Sequence, residues 1–260
     1  MTFFFMEVVM NIALNEVLSL SLDIGERMLK CGAEISRVED TIERIITGYG
    51  LKSNEVFVLN SIIIATISNG ENSITETRRI KYRNIDLLEL ENLNDLSRKI
   101  CSNNISRKEV LNKIESYKKS SNKCFTAIGM MLASSSFTLF FGGTFIDSVV
   151  SLVIALVLFF SDLKIKKSSL NNFIYNFFSS FLIGICAVII TSIGIGTNLD
   201  KIIIGDIMLL IPGLSTFISI NDIFKGDTVS GISRFTEGIF LALVIAGGIG
   251  IALSIGGAIK

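Results

Sequence analysis

Two kinds of patterning divide the chain near residue 123. Between Leu14 and Leu29 apolar residues return every three or four positions, with Leu14, Val17, Leu18, Gly25, Met28 and Leu29 on one helical face. Ile35, Val38, Ile42, Ile45 and Ile46 do the same in the next stretch, so two amphipathic helices are predicted. Gly32 between them suits a left-handed helix cap, and Ser36 with Glu39 has capping-box spacing. Strand patterns follow at 56 to 59, 62 to 67 and 73 to 80, with Asn69, Gly70 and Asn72 in a turn before the third. Helical stretches at about 86 to 103 and 106 to 117 close this half. After residue 123 the amphipathic pattern gives way to continuous apolar runs. Five of them, near 124 to 142, 144 to 161, 172 to 195, 202 to 220 and 237 to 259, approach the roughly 20 residues that cross a hydrocarbon core.

The fourth run is the unusual one. It carries Asp206 and the chain's only proline, Pro212, followed by Gly213 and Thr216, and it leads into a polar, glycine-punctuated loop. A carboxylate at mid-membrane costs roughly 2.5 to 3.5 kcal/mol on insertion scales, and a proline frees a backbone carbonyl, so such groups need protein or water around them. Read as one helix, the run places Asp206, Gly213 and Thr216 on nearly the same face and makes Asp206 the leading candidate to bind an ammonium group or a proton. Asn221, Asp222, Asp227 and Arg234 cluster after it, as a gate or vestibule in which Arg234 clamps a carboxylate or pairs with Asp222. Glu237 and Asp147 add further acidic groups, an excess that favours a zwitterionic substrate over a dianion. Ordinary hydrated loop positions are the alternative for each of these residues.

Composition agrees with a membrane protein. Half of the 260 residues are apolar and the mean hydropathy is +0.60, while most of the charge lies in residues 1 to 123. Lys118, Lys119 and Lys123 precede the first run, Lys164, Lys166 and Lys167 follow the second, and Lys225 and Arg234 follow the fourth. Only Lys201 and Lys260 fall on the other side. The positive-inside rule then puts the amino terminus in the cytoplasm and the carboxyl terminus outside. The expected architecture is a small cytoplasmic α+β domain, residues 1 to 123, preceding a helical membrane bundle of five spans, residues 124 to 260. The first residues are apolar but lack a basic n-region and contain Glu7, so they read as the start of a helix rather than a signal peptide.

The chemical inventory argues against an enzyme. There is no histidine, no phosphate-binding glycine loop and no metal-ligand spacing, so no metal or other cofactor is expected. Cys31, Cys101, Cys124 and Cys186 stand too far apart for a zinc site and read as reduced thiols. A net charge of zero, with no basic stripe, argues against a nucleic-acid partner. In the last run Ala242, Ala246, Gly250, Ser254 and Ala258 recur every four residues, a stripe that lets another helix approach closely. That helix could belong to a partner, to a second copy, or to the same chain.

Three motifs, in order, carry a resemblance. GlyAlaGluIleSerArgValGluAspThrIleGluArg at 32 to 44, ThrGluThrArgArgIle at 75 to 80 with IleAspLeu at 85 to 87, and the block from Pro212 and Gly213 to Arg234 resemble the amino-terminal half of the threonine/serine exporter family. That half is similar to one component of two-component succinate exporters. The resemblance implies a multi-span plasma-membrane protein that exports small amino acids or dicarboxylates, driven by the proton gradient. Larger members fuse this half to further spans absent here, which implies a separately encoded membrane partner. Within the first motif, Gly32, Glu34, Arg37 and Glu39 are the residues the resemblance singles out. By spacing, Glu34, Arg37, Glu39 and Glu43 predict surface ion pairs, or else charges that dock the domain on a loop. A membrane receptor or assembly protein that signals without transport is the competing class, and it has no need of Asp206 or Pro212.

Overall fold

The computed structural model describes residues 2–51, 53–70, 72–102, 109, 110, 112, 113, 117, 122–165 and 171–259. The chain divides into two compact units, residues 1–119 with 214–235, and residues 120–213 with 236–260. The first unit thus includes a stretch that the hydropathy pattern groups with the membrane half.

In the first unit, α1 (Thr2–Lys30) and α2 (Ile35–Gly48) are joined by a turn in which Gly32 has φ +91°, the left-handed conformation its sequence position suggests. The two helices meet closely at Gly25, where a β-carbon would lie 2.5 Å from the Ile42 side chain. A meander of β1 (Ser53–Leu59), β2 (Ile62–Ser68) and β3 (Ser73–Arg79) follows, all antiparallel. Strand β2 alternates buried and half-buried residues, and Ile63, Ala65 and Ile67 join α1 and α2 in one core with Leu18, Met28, Ile42 and Ile46. Arg78 ties β3 to α1 by hydrogen bonds to Ser19 Oγ (3.1 Å) and Asp23 Oδ1 (3.2 Å). Helix α3 (Leu87–Cys101) is capped by Asp86, which accepts from the Glu89 amide at 3.1 Å, and it buries Leu90, Leu93, Leu96 and Ile100. The predicted helix at 106 to 117 lies largely outside the described residues, as do Lys118, Lys119, Lys166 and Lys167.

The second unit is helical. Helices α4 (Lys123–Phe140), α5 (Phe145–Ile165), α6 (Asn172–Ser192), α7 (Leu199–Ile207) and the later turns of α9 (Thr228–Ile259) surround Val150, Ile154, Leu158, Ile183, Ala187, Ile202, Ile203, Ile245 and Ile249. Among the described residues four helices are long and apolar enough to cross a membrane: Lys123–Phe140, Phe145–Lys164, Asn172–Ser192 and Thr228–Gly257. Many large apolar side chains on them, such as Phe125, Leu132, Phe140, Phe160, Phe178 and Leu243, face outward, as a lipid environment requires.

Two expectations change here. The run at 202 to 220 is not one helix: α7 ends at Ile207, residues 208–212 are irregular, and α8 (Gly213–Phe224) starts afresh. Pro212 directly precedes α8, where a missing amide hydrogen costs nothing, so the proline permits a new helix rather than kinking an old one. The last span also begins at Thr228 instead of 237, directly after the Gly226 turn at φ +97°.

The small residues of α9 that pack within the chain are on another face from the 242-to-258 stripe. The face turned to α6 is Gly248, Ala252 and Gly256, and a β-carbon on Gly248 would lie 2.2 Å from Ser180 Oγ and 2.6 Å from the Phe177 carbonyl oxygen. Gly184 answers from α6 by meeting Ala252, and Val188 meets Gly256. Ala242, Ala246, Gly250 and Ser254 are exposed, and the Ala258 side chain lies outside the described residues.

Candidate functional site

The candidate residues fall into three groups, one in the first unit and two in the second. In the first unit, α8, the Gly226 turn and the start of α9 are held to the α1–α2 turn and to the β1–β2 turn. Arg234 is at the centre, almost wholly buried. Its Nε donates to Asn60 Oδ1, Nη1 and Nη2 both lie 3.3 Å from the Ala33 carbonyl oxygen, and Nη1 lies 3.3 Å from Asp222 Oδ2. Asn60 Nδ2 in turn donates to the Ser230 carbonyl at 2.6 Å. Asp222 Oδ1 accepts the Ile35 amide at 3.2 Å, and Asp227 accepts the amide of Ser36.

These last two bonds explain a local puzzle. Helix α2 begins at Ile35 after Glu34, whose side chain makes no capping bond, so the predicted capping box of Ser36 and Glu39 does not form. Its first free amides are instead satisfied by carboxylates nearly two hundred residues away, placed where the positive end of the helix dipole favours them. Glu34 pairs with Lys225, and Glu39 accepts the Val58 amide at 2.9 Å. The ion pair within α2 is Asp40 with Arg44, at 2.8 Å, while Arg37 is exposed. Glu34 and Glu39 thus hold a loop and a strand rather than pairing along the helix surface. Asn221 and Thr216 are half-buried on α8, Thr216 accepting from Ser219 Oγ at 2.6 Å through its carbonyl, and Gly213 and Glu237 are exposed.

Burial raises the Glu39 carboxyl above the usual carboxylate range, against the lowering effect of the Val58 amide, and burial likewise raises Asp227. A carboxyl raised in the folded state contributes stability at low pH that is lost as pH rises through its folded-state value. Glu39→Gln keeps an oxygen for the Val58 amide and removes the ionisation. Its unfolding midpoint is expected to fall less than the wild type's as pH rises from 4 to 7, in a thermal unfolding series across about that range. An equal slope in both proteins would refute the assignment to Glu39.

In the second unit Asp206 is fully buried on α7. Its Oδ1 accepts from Ser134 Oγ of α4, and its Oδ2 has no hydrogen-bond partner. Ser134 belongs to a cluster of hydroxyls: Thr138 Oγ1 lies 2.6 Å from Ser151 Oγ of α5 and 3.0 Å from the Ser134 carbonyl, and Ser134 Oγ lies 3.3 Å from the Ser151 carbonyl. The helices can meet this closely because residue 205 is glycine, whose added β-carbon would lie 2.0 Å from Thr138 Oγ1. The break after Ile207 removes the shared helical face that a continuous helix would give Asp206, Gly213 and Thr216.

Asp147 forms the third group, and it is saturated. Oδ2 accepts from the Thr144 amide (2.8 Å), Thr144 Oγ1 (2.8 Å) and Asn198 Nδ2 (2.8 Å), and Oδ1 accepts from the amides of Thr197 (2.8 Å) and Asn198 (3.3 Å). Thr144 Oγ1 accepts the Asp147 amide in return, at 3.2 Å, which completes a capping box for α5. The carboxylate locks the α6–α7 connection onto the start of α5.

Asn60, Ser134, Thr138, Ser151 and Asn198 are the partners that sequence reasoning missed. Two signals were available: the hydroxyl run AlaSerSerSerPheThr at 133–138 inside an apolar segment, and the Thr144-to-Asp147 spacing.

A family model described as putative threonine/serine exporter matches residues 19–256 of the chain. A threonine/serine exporter of Corynebacterium glutamicum is 24% identical over 250 residues, covering 92% of this chain and 51% of that protein. The chain therefore spans about half the length of this relative. No solved structure matches.

Proposed function

The chain belongs to the threonine/serine exporter family, and from that premise we propose that it exports small amino acids of the threonine and serine kind across the plasma membrane as one half of a transporter. A further set of membrane spans supplies the other half, which accords with the twofold length of the curated relative. Residues 1 to 123 face the cytoplasm and the carboxyl terminus faces out, a reading supported by Lys123, Lys164 and Lys225 on one side of the apolar segments and Lys201 on the other. The stretch from 199 to 212, with Asp206 ahead of its helix break, lines the substrate path. Transporters commonly build their sites where a membrane helix is broken and backbone and side-chain polar groups are freed.

One observation carries the reading: a fully buried carboxyl, Asp206, with one oxygen unpartnered, one residue before its helix ends. Asp147, by contrast, has both carboxyl oxygens engaged. A buried polar group left incomplete is where function is to be sought.

The test is efflux of labelled threonine, serine and succinate from cells producing this chain with a candidate membrane partner. Threonine and serine efflux is expected only when both chains are present. Asp206→Asn is expected to lower it more than about tenfold, a loss of at least roughly 1.4 kcal/mol, while membrane insertion persists. Efflux of succinate alone would reassign the substrate class, and undiminished efflux in Asp206→Asn would remove Asp206 from the path.

A further inference from the structure

We propose that the groove between α2 and α3 is a binding site for a phosphomonoester, whose anionic head is held by Arg37, Arg44 and Arg98. The site lies wholly in the first unit and does not rest on the exporter reading.

Helical spacing builds it. Arg37, Asp40 and Arg44 follow one another on one face of α2, and Asn94, Arg98 and Cys101 on one face of α3. The Cys101 thiol lies 3.5 Å from the Arg44 carbonyl oxygen, and a β-carbon on Gly48 would lie 3.4 Å from Cys101 Cα, so the helices touch at their carboxyl ends. These side chains line a cavity of about 370 Å³. Small-molecule sites span roughly 300–1,000 Å³, so the volume admits the body of a metabolite as well as its charged head.

Charge selects the ligand. Three guanidinium groups line the cavity against one carboxylate, Asp40, and that carboxylate is paired with Arg44 at 2.8 Å. Arg37 and Arg98 are exposed, and neither has an ion-pair partner among the described residues. Arg98 is in the last turn of α3, where the helix dipole favours a cation, but Arg37 is in the first turn of α2, where the dipole disfavours one. The carboxylates at that helix end, Asp222 and Asp227, accept the Ile35 and Ser36 amides. Within the same motif Gly32 makes the turn, Glu34 pairs with Lys225 and Glu39 holds the Val58 amide, which leaves Arg37 without a task in the fold.

A phosphomonoester brings about two negative charges and three acceptor oxygens on one head, the complement of planar guanidinium forks. Threonine or serine fits poorly, since its ammonium group would face three guanidinium groups and the single lining carboxylate is already paired. A dicarboxylate such as succinate divides its charge between two ends instead of concentrating it.

Cys101 reports occupancy from inside the cavity. In the full chain carrying Cys124→Ser it is the exposed thiol, because Cys31 is buried and Cys186 half-buried. Burial raises the Cys101 thiol, so alkylation is followed at mildly alkaline pH. In phosphatidylcholine nanodiscs, glycerol 3-phosphate is expected to slow that alkylation saturably. Arg37→Gln and Arg98→Gln are each expected to raise the half-protecting concentration about tenfold, the loss of one charge-assisted hydrogen bond. Lys99→Gln, which removes a charge that does not line this cavity, should leave it unchanged. Nanodiscs containing phosphatidic acid, without soluble phosphate, separate a lipid head from a free metabolite, and whichever form protects identifies the source. The site is overturned by protection from neither form, by equal protection from succinate or from potassium chloride at the same ionic strength, or by protection that survives Arg37→Gln combined with Arg98→Gln.

Discussion

Replacing Arg234 by methionine is expected to cost the first unit about 3–5 kcal/mol, the usual penalty for leaving one member of a buried ion pair behind. Asp222 would remain in the interior with the Ile35 amide as its hydrogen-bonding partner, and the Ala33 carbonyl and Asn60 Oδ1 would each lose a charged donor. The loss should be local before it is global, because Arg234 holds the α1–α2 turn at Ala33, two residues from Cys31. That thiol is buried and is pushed up to about 12, chiefly by burial and then by the nearby Glu89 carboxylate, so it is unreactive in the closed state. Alkylation of Cys31 therefore reports opening of the turn. It is expected to accelerate at least tenfold in Arg234→Met near neutral pH, alongside a lower unfolding midpoint. The double variant Arg234→Met with Asp222→Asn removes both charges while keeping an acceptor for the Ile35 amide, and should recover part of the loss. Unchanged Cys31 reactivity in the single variant would mean that the loop is held by apolar packing alone.

The second large effect is expected at Asp147. Asp147→Ala strands the amides of Thr144, Thr197 and Asn198, each costing about 1–3 kcal/mol when buried without a partner. It also removes half of the α5 capping box. The connection at 193–198 should detach, giving protease cleavage there and a fall in the unfolding midpoint in detergent. Asp206→Asn should show neither, because that carboxyl has a single partner to lose and Asn can still accept from it. The two aspartates are alike in sequence, each inside an apolar stretch, and opposite in surroundings. If Asp147→Ala left the connection protected and abolished efflux, Asp147 would have to be returned to the substrate path.

Much of the architecture was legible along the chain because it is written at short range. The 3.6-residue repeat of α2, the period-two alternation of β2 and the positive φ of Gly32 each follow from residues within a few positions of one another. So does the apolar character of the four membrane-length helices, since hydrocarbon solvates whatever stretch is apolar enough. The family was legible for a related reason: its motifs keep their order from residue 32 to Arg234.

Tertiary structure alone decided which polar groups are finished and which are not. The carboxylates that cap α2 are Asp222 and Asp227, and no local spacing could announce a cap nearly two hundred residues away. The hydroxyl that binds Asp206 comes from α4, and the small residues of α9 that meet α6 are Gly248, Ala252 and Gly256 rather than those with the tidiest spacing. The break at 208–212 belongs here too, because hydropathy averages over a window and a turn of four apolar residues and one proline still reads as apolar. Hydrophobicity and periodicity are properties of single segments, so the chain states them. Saturation of a buried hydrogen-bonding group is a property of several segments at once, and it is fixed only when they are packed together.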